Sequence, residues 1–195
     1  MAIIAEELRQ RGMQVPPDQE AVVKRVIHTS ADFDYAKNLY FSPDAVKKGI
    51  EALKTGCDIV TDTQMAKAGI NKTVLGKLGG QVHCFMSDED VAAEAKRRGV
   101  TRAMVSMEKA ASLEKPCIFA IGNAPTALIA LKELMEAGKL HPALIIGVPV
   151  GFVNVVESKD ELIATGAPCI VARGRKGGSN VAAAICNAML YQITR

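Results

Sequence analysis

Five short apolar runs divide the chain, and longer segments with helical spacing of apolar residues separate them. Each run is too short for a helix and is almost continuously apolar, as expected for a strand whose two faces are both buried. Such strands alternating with helices are typical of a parallel sheet covered on both sides. The pattern therefore predicts an α/β fold, a single doubly wound domain over residues 1–195 with a five-stranded, mainly parallel sheet. The predicted strands cover residues 57–60, 82–85, 117–120, 143–146 and 169–172.

Capping residues and glycines predict where the helices begin and end. In Ser42-Pro43-Asp44, serine suits the N-cap of a helix and proline suits its first turn. One helix start remains open, because Ser158 lies at capping-box spacing from a glutamate while a start near Val153 fits equally well. Further helices are predicted from near residue 17, over 87–99, over 125–138 and over 179–193.

Composition and charge exclude several classes of protein. The 24 Lys and Arg and 21 Asp and Glu give a formal net charge of +3, too balanced for a protein that depends on nucleic-acid phosphates. The aromatic content of 4%, with no Trp, leaves few platforms on which bases could stack. No uncharged stretch has the ~20 apolar residues of a membrane span, and the start of the chain does not resemble a signal peptide. We therefore expect a cytoplasmic protein that binds neither nucleic acid nor membranes.

The five cysteines include no C-x-x-C pair, which disfavours both a disulfide framework and a zinc site. Four of them, Cys57, Cys84, Cys117 and Cys169, adjoin or lie in the predicted strands, where a free cysteine behaves as a small buried hydrophobe. We therefore predict reduced, structural thiols and no metal site.

The strongest physical signal for a binding site is a glycine turn surrounded by cations. Ligands of an open parallel sheet bind at the carboxyl ends of the strands, and backbone N–H groups at a helix N-terminus attract anions. The turn matches neither the dinucleotide-binding nor the P-loop spacing. It predicts an anion site, although the glycines could instead form only a tight turn beside solvated charges. The stretch consists of Arg173, Gly174, Arg175, Lys176, Gly177, Gly178 and Ser179.

His28 differs from the other two histidines because it lies on a predicted helix and outside the apolar stripe of that helix. Helical spacing puts the apolar stripe of its helix on one face, and both Arg25 and His28 lie on a flank turned away from that stripe. His83 falls within a predicted strand and His141 in a loop. An ordinary surface histidine is the alternative interpretation of His28, since helices usually display polar residues away from the core.

Five separate motifs occur in order along nearly the whole chain. They are Arg25-Val26-Ile27-His28-Thr29-Ser30, Gly122-Asn123-Ala124-Pro125-Thr126-Ala127-Leu128, Gly147-Val148-Pro149-Val150-Gly151-Phe152-Val153, Glu157-Ser158-Lys159 and Arg173-Gly174-Arg175-Lys176-Gly177-Gly178-Ser179. Together they closely resemble the precorrin-8X methylmutase family of cobalamin biosynthesis. In one place the sequence departs from the family, since members often carry a serine just before the apolar start that reads Ala2-Ile3-Ile4 here.

The resemblance implies a homodimeric isomerase that moves a methyl group from carbon 11 to carbon 12 of a precorrin macrocycle and uses no external cofactor. The product would be hydrogenobyrinate or cobyrinate, and the sequence leaves open whether the substrate already contains cobalt. The resemblance also implies that His28 is the proton donor and that Arg25 and Arg102 contact the substrate.

The substrate of that family is a large apolar ring with several carboxylates, which calls for an apolar cleft rimmed by cations and hydrogen-bond donors. We expect Val148, Val150 and Phe152 to line the cleft and Asn123 and Thr126 to offer neutral hydrogen bonds. The cations Arg102, Arg173, Arg175 and Lys176 are expected at the rim, with Gly177, Gly178 and Ser179 beside them.

Two other functions compete with this interpretation. A corrinoid or tetrapyrrole carrier would use the same cleft without turnover, and His28 would then be an axial ligand or a simple contact. An enzyme acting on a small phosphorylated metabolite would draw on the glycine turn alone. The carrier predicts binding without a new chromophore, and the phosphate-binding enzyme predicts competition by phosphate.

Overall fold

One mixed sheet of six strands forms the centre of the computed structural model, which describes residues 1–194. The strands are β1 (Leu39–Phe41), β2 (Asp58–Thr61), β3 (Val82–His83), β4 (Cys117–Ile121), β5 (Leu144–Gly147) and β6 (Cys169–Ala172). Their order across the sheet is β1-β6-β5-β4-β2-β3. β1 pairs antiparallel with β6, and every other neighbouring pair is parallel. The α/β fold and the mainly parallel sheet are confirmed, whereas the predicted number of five strands is wrong.

The additional strand, β1, is only three residues long and half-buried at the edge of the sheet. Leu39 pairs with Ala172 and Phe41 with Ile170. A run of three residues shows neither a period-2 pattern nor a sustained apolar stretch, so the sequence gives little indication of it. Ser42 continues the pairing, because its N–H donates to the carbonyl oxygen of Cys169 and its Oγ accepts the N–H of the same residue.

Eleven helices are present within residues 1–194. They are α1 (Ala2–Gln10), α2 (Glu20–Ser30), α3 (Tyr35–Asn38), α4 (Ala45–Lys54), α5 (Gln64–Gly69), α6 (Lys72–Lys77), α7 (Glu89–Arg98), α8 (Arg102–Ala110), α9 (Pro125–Glu136), α10 (Val155–Ala164) and α11 (Ser179–Ile193). None of them is long and apolar enough to cross a membrane.

The structure decides two of the predicted helix starts, those of α4 and α10. The N-cap of α4 is Asp44 and not Ser42, whose hydroxyl is engaged by β6. Of the two possible starts of α10, the earlier one is observed, because the helix begins at Val155 after Asn154. Ser158 lies inside α10 and its Oγ donates to the carbonyl oxygen of Val155, so it does not cap the helix.

Each strand contributes side chains alternately to two apolar layers. Ile59, Ile118 and Ile170 pack with the buried faces of α2, α4 and α11. Val60, Phe119 and Val171 pack on the opposite side with α8, α9 and α10. The doubly wound arrangement follows from strands β2, β4, β5 and β6, which are buried throughout. The assignment of residues 1–195 to one domain stays a prediction, and Arg195 lies outside the described residues.

Candidate active site

Four loops meet at the carboxyl edge of the parallel strands, beside the N-terminus of α11. Oγ1 of Thr63, after β2, lies 2.7 Å from Oγ of Ser179, the first residue of α11. A Cβ on Gly122, after β4, would lie 2.7 Å from Cα of the same serine. Val148, after β5, accepts the N–H of Gly178 from the loop after β6 at 2.9 Å. The loops that follow β2, β4, β5 and β6 therefore lie together at this edge.

A buried aspartate holds the β4–α9 loop in place. The Asp62 carboxylate accepts the backbone N–H groups of Gly122 and Asn123 at 2.8 Å and of Ala124 at 2.6 Å. Burial raises the pKa of the Asp62 carboxyl, and the three N–H donors oppose that rise. Because a protein carboxylate occupies the amides just ahead of α9, they do not bind a ligand anion. The sequence signal for this role is an acidic residue directly after a fully buried strand, and the sequence analysis assigns Asp62 no role.

The N-termini of α8 and α9 lie side by side. Thr101 caps α8 by accepting the N–H of Met104 at 3.2 Å, and its Oγ1 donates to Oγ1 of Thr126 at 2.9 Å. Arg102, the next residue, is exposed. The structure thus places Arg102 and Thr126 in one neighbourhood, with the exposed side chain of Asn123 at the start of the same loop.

Residues 173–178, here called the cation loop, pack closely against the β5–α10 loop. A Cβ on Gly177 would lie only 2.1 Å from the carbonyl oxygen of Val148, so this contact requires glycine. Gly178 adopts a φ of 133°, in the region that favours glycine. Its N–H is bonded to Val148 and is not offered to a ligand. The glycines therefore shape the loop, and its positive charge is carried by the side chains of Arg173, Arg175 and Lys176.

The three cations of this loop have different partners. The guanidinium of Arg173 lies 4.9 Å from the ring centroid of Tyr40, and that of Arg175 lies 5.3 Å from the ring centroid of Phe152. Lys176 Nζ instead contacts carboxylate oxygens of Asp32 at 2.6 Å and Asp34 at 2.7 Å. Hydrogen bonds to these two carboxylates raise the pKa of Lys176. Its charge is thus already offset, whereas neither arginine forms an ion pair within residues 1–194.

His28 lies in the last turn of α2 with its side chain exposed. The apolar stripe on that helix, from Val22 to Ile27, is buried as the spacing predicts. Arg25, one turn earlier, is half-buried and its guanidinium lies 4.9 Å from the ring centroid of Tyr191 on α11. The segment directly after α2 contains the aspartates that bind Lys176, so the helix of His28 is tied to the cation loop.

The β5–α10 loop exposes apolar side chains at the same edge. Val150 is 47% exposed, Phe152 82% and Val153 77%, whereas Val148 is completely buried. The expectation that Val148 lines the cleft is therefore wrong, because its side chain belongs to the core. The other three offer an apolar surface beside Arg175.

The profile of the family described as precorrin-8X methylmutase matches residues 1–192. The chain belongs to the precorrin-8X methylmutase family. It is 48% identical to the cobalt-precorrin-8 methylmutase of Priestia megaterium over 172 residues, which are 88% of this chain and 76% of that protein. It is 47% identical to the cobalt-precorrin-8 methylmutase of Salmonella typhimurium over 191 residues, covering 97% of this chain and 89% of that protein.

The fold of this family member also matches a solved precorrin-8X methylmutase. The crystal structure of the Thermus thermophilus enzyme superposes with a TM-score of 0.86 at 36% sequence identity and covers 100% of this chain and 98% of that one. Both comparisons extend across the carboxyl edge described above, so the loops that meet there belong to the shared fold.

The thiols of this methylmutase family member are structural. All five cysteines are free and buried. Burial raises the pKa of Cys57 and Cys186 to about 12, which disfavours a nucleophilic thiolate. His83 lies 2.8 Å from a carboxylate oxygen of Asp58 within the sheet, in keeping with a structural role. Within residues 1–194, no group of three or more His, Cys, Asp or Glu side chains could hold a metal ion.

Proposed function

We propose that the protein is an isomerase that moves a methyl group from carbon 11 to carbon 12 of cobalt-precorrin-8, giving cobyrinate in cobalamin biosynthesis. The observation that carries this function is the family match over residues 1–192. The cobalt-containing substrate is favoured over precorrin-8X because three relatives that are 47–48% identical are cobalt-precorrin-8 methylmutases. Relatives named precorrin-8X methylmutase are 41% and 37% identical.

The substrate is proposed to lie across the carboxyl edge of the sheet. Its peripheral carboxylates would pair with Arg173, Arg175 and Arg102, whose guanidinium groups have no carboxylate partner within residues 1–194. The apolar ring would rest on Val150 and Phe152. Asn123, Thr126, Ser179 and the main chain at Gly177 complete the proposed binding surface. The main chain of Gly178, predicted to belong to it, is excluded because its N–H is bonded to Val148 and its carbonyl oxygen to Ala182. Lys176 is the weakest member of the proposed set, because Asp32 and Asp34 already offset its charge.

His28 is proposed to supply the proton for the rearrangement. A methyl shift around a conjugated ring needs no nucleophile, only a change in electron demand between carbons 11 and 12. Protonation of the ring by the imidazolium draws the migrating methyl group and its bonding electrons to carbon 12. The proton then returns to the imidazole, so the reaction is balanced without a co-reactant. Histidine suits this exchange because it gains and loses a proton near neutral pH.

We also propose that the site is completed by a second subunit. Val150 and Phe152, on which the apolar ring is proposed to rest, are 47% and 82% exposed in one protomer, whereas ligand sites bury about 70–90% of their ligand. A large macrocycle bound there would stay exposed to water unless a second subunit covered it. The exposed Val150, Phe152 and Val153 offer an apolar surface on which that subunit could pack. A homodimer is expected in sedimentation at micromolar concentration, and only monomer there would argue against this arrangement. The five free thiols are in keeping with a cytoplasmic location, where thiols stay reduced.

The decisive experiment mixes the purified protein with cobalt-precorrin-8 and, separately, with precorrin-8X, and follows the absorbance spectrum. A new chromophore is expected with the cobalt form at the higher kcat/KM. Spectral perturbation by bound ligand without conversion would instead indicate the corrinoid carrier. Conversion of precorrin-8X alone would retain the isomerase and reject the cobalt substrate.

A further inference from the structure

A lysine that sequence analysis assigned no role lies directly beneath the cation loop. Lys159 belongs to α10, and its side chain is 0% exposed. Its Nζ donates to the carbonyl oxygen of Gly174 at 2.7 Å and to that of Lys176 at 3.0 Å. A buried amino group is costly unless it is hydrogen-bonded, so the position of the loop and the burial of this lysine depend on each other.

These two hydrogen bonds bracket Arg175. The carbonyl oxygen of Arg175 itself accepts the N–H of Gly151 at 3.1 Å, from the β5–α10 loop. Three consecutive carbonyl groups of the cation loop are therefore held, the outer two by Lys159 and the middle one by Gly151. With its backbone fixed on both sides, Arg175 extends its guanidinium over the ring of Phe152.

We infer that Lys159 is a positioning residue of the active site: by binding the carbonyl oxygens of Gly174 and Lys176 it fixes the direction in which Arg175 presents its guanidinium to a substrate carboxylate. The inference rests on the proposed function only for the identity of the substrate. A guanidinium pairs with a carboxylate through a planar, two-pronged geometry, so a small rotation of the loop weakens the pair more than it weakens a simple charge contact.

The charge on Lys159 is compatible with this role in either protonation state. Burial lowers the pKa of Lys159 to about 8, with the nearby Asp160 opposing that change. A neutral amine still has two N–H donors, which are enough for the two carbonyl oxygens. The positioning therefore depends on hydrogen bonding and not on a net charge.

The first test measures the loop without substrate. Lys159→Met keeps most of the side-chain volume and removes both donors. Lys132→Met is the matched control, because Lys132 is a partly exposed lysine on α9 that contacts Glu161 of α10 at 3.0 Å. In Lys159→Met, amide hydrogen exchange over residues 173–178 is expected to rise about ten-fold or more, with the sheet strands unchanged. Unchanged exchange in that segment would overturn the inference.

The second test measures turnover by Lys159→Met, Arg175→Ala and the double variant. Loss of one well-formed hydrogen-bonding contact corresponds to roughly ten-fold in affinity, so KM should rise about ten-fold in Lys159→Met while kcat changes little. Because both residues act through the same guanidinium, the double variant should have the KM of Arg175→Ala alone. The inference would be contradicted if the increases in KM of the two single variants multiplied in the double variant, or if KM were unchanged in Lys159→Met. Lys159 would then contribute only to the general stability of the fold.

Lys159→Gln provides a second variant if the methionine protein does not fold, since it keeps an N–H₂ group on a shorter chain. It should give intermediate exchange and an intermediate KM, and wild-type values for both would contradict the inference. The two tests separate this inference from the proposed function. Absence of turnover by the wild-type protein would reject the isomerase, while hydrogen exchange would still decide the role of Lys159.

Discussion

His28 is exposed and contributes nothing to the buried stripe of α2, so its replacement is expected to remove the proposed proton donor and to leave the packing intact. His28→Ala and His28→Asn should fold normally and bind the corrinoid, while kcat falls by about 10²–10⁴-fold, the range of general acid catalysis. Stopped-flow absorbance gives kcat, and a titration of bound chromophore gives Kd. Conversion by His28→Ala at nearly the wild-type rate would show that the proton comes from another group.

Arg25 should behave differently from His28, although the two lie one turn apart. Arg25→Ala is expected to raise Kd for the corrinoid more than it lowers kcat, because the resemblance assigns it a contact to the substrate. It also loses the stacking of its guanidinium on Tyr191, so the melting temperature should fall by the equivalent of about 0.5–1 kcal/mol. Arg25→Lys retains the charge and tests whether the planar group is needed. If Arg25→Ala lowered kcat and left Kd unchanged, Arg25 would act in the chemical step and not in binding.

The role of Lys176 can be tested with two substitutions that should change KM in opposite directions if its ammonium contacts the substrate. If its ammonium contacts substrate, Asp34→Asn should free it from one acid and lower KM, while Lys176→Ala should raise KM. If Lys176 serves only to hold the cation loop against the segment after α2, both substitutions weaken its ion pairs with Asp32 and Asp34, and both should raise KM. Exposed ion pairs such as that of Lys176 with Asp34 contribute little to stability, so the melting temperature should change little in either variant. Steady-state kinetics of the two proteins distinguish the roles.

Side chains whose hydrogen-bond partners are main-chain groups leave little signal in the sequence. His28 and Arg25 are visible because helical spacing separates them from the apolar stripe. Asp62 and Lys159 are not, since their partners are backbone groups 60 or more residues away for Asp62 and 15 or more away for Lys159. Nothing in the type of a residue indicates such a partner until the fold has placed it.

At the scale of elements, the close approach of the cation loop to the β5–α10 loop can be tested by a substitution that adds one methyl group. Gly177→Ala would put a Cβ 2.1 Å from the carbonyl oxygen of Val148, so a backbone must move. We expect a loss of roughly 1–3 kcal/mol in the free energy of unfolding and a higher KM. Gly76→Ala is the matched control, because a Cβ there meets nothing within 4 Å and the residue lies in α6. That variant should be as stable as the wild type or slightly more stable; similar losses in both would contradict this account.

Long apolar runs and clear helix starts made most elements predictable. The strands that form the centre of the sheet and the helix over 179–193 follow from local pattern alone. β1 does not, because three residues at an edge gain their structure from pairing with β6 and not from their own sequence. Pairing with β6 also explains why the predicted N-cap at Ser42 is wrong. The Ser42 hydroxyl accepts the N–H of Cys169 in β6, which lies far away in the sequence.

At the scale of the whole molecule, Lys159 predicts a dependence of stability on pH. Its pKa in the folded protein is about 8, below its usual 10.5, so between these values the unfolded chain holds a proton that the folded protein does not. Stability relative to Lys159→Met should therefore rise as the pH increases from 8 to 10.5, by at most about 3 kcal/mol. Urea unfolding of both proteins at several pH values measures this, with other titrating groups common to the two. A constant difference across the window would contradict the lowered pKa.

The last described helix is also the most enclosed one. Nine residues of α11 are buried, and it packs against α2, α4 and α5. Those earlier helices therefore have no complete apolar layer to pack on until the region around 180–190 has docked. Contacts between such distant parts of a chain form slowly, because long loops must close before the contacts can stabilise them. During synthesis the first half of the protein is thus expected to remain only loosely folded, and the binding surface would be assembled in one late step as α11 docks.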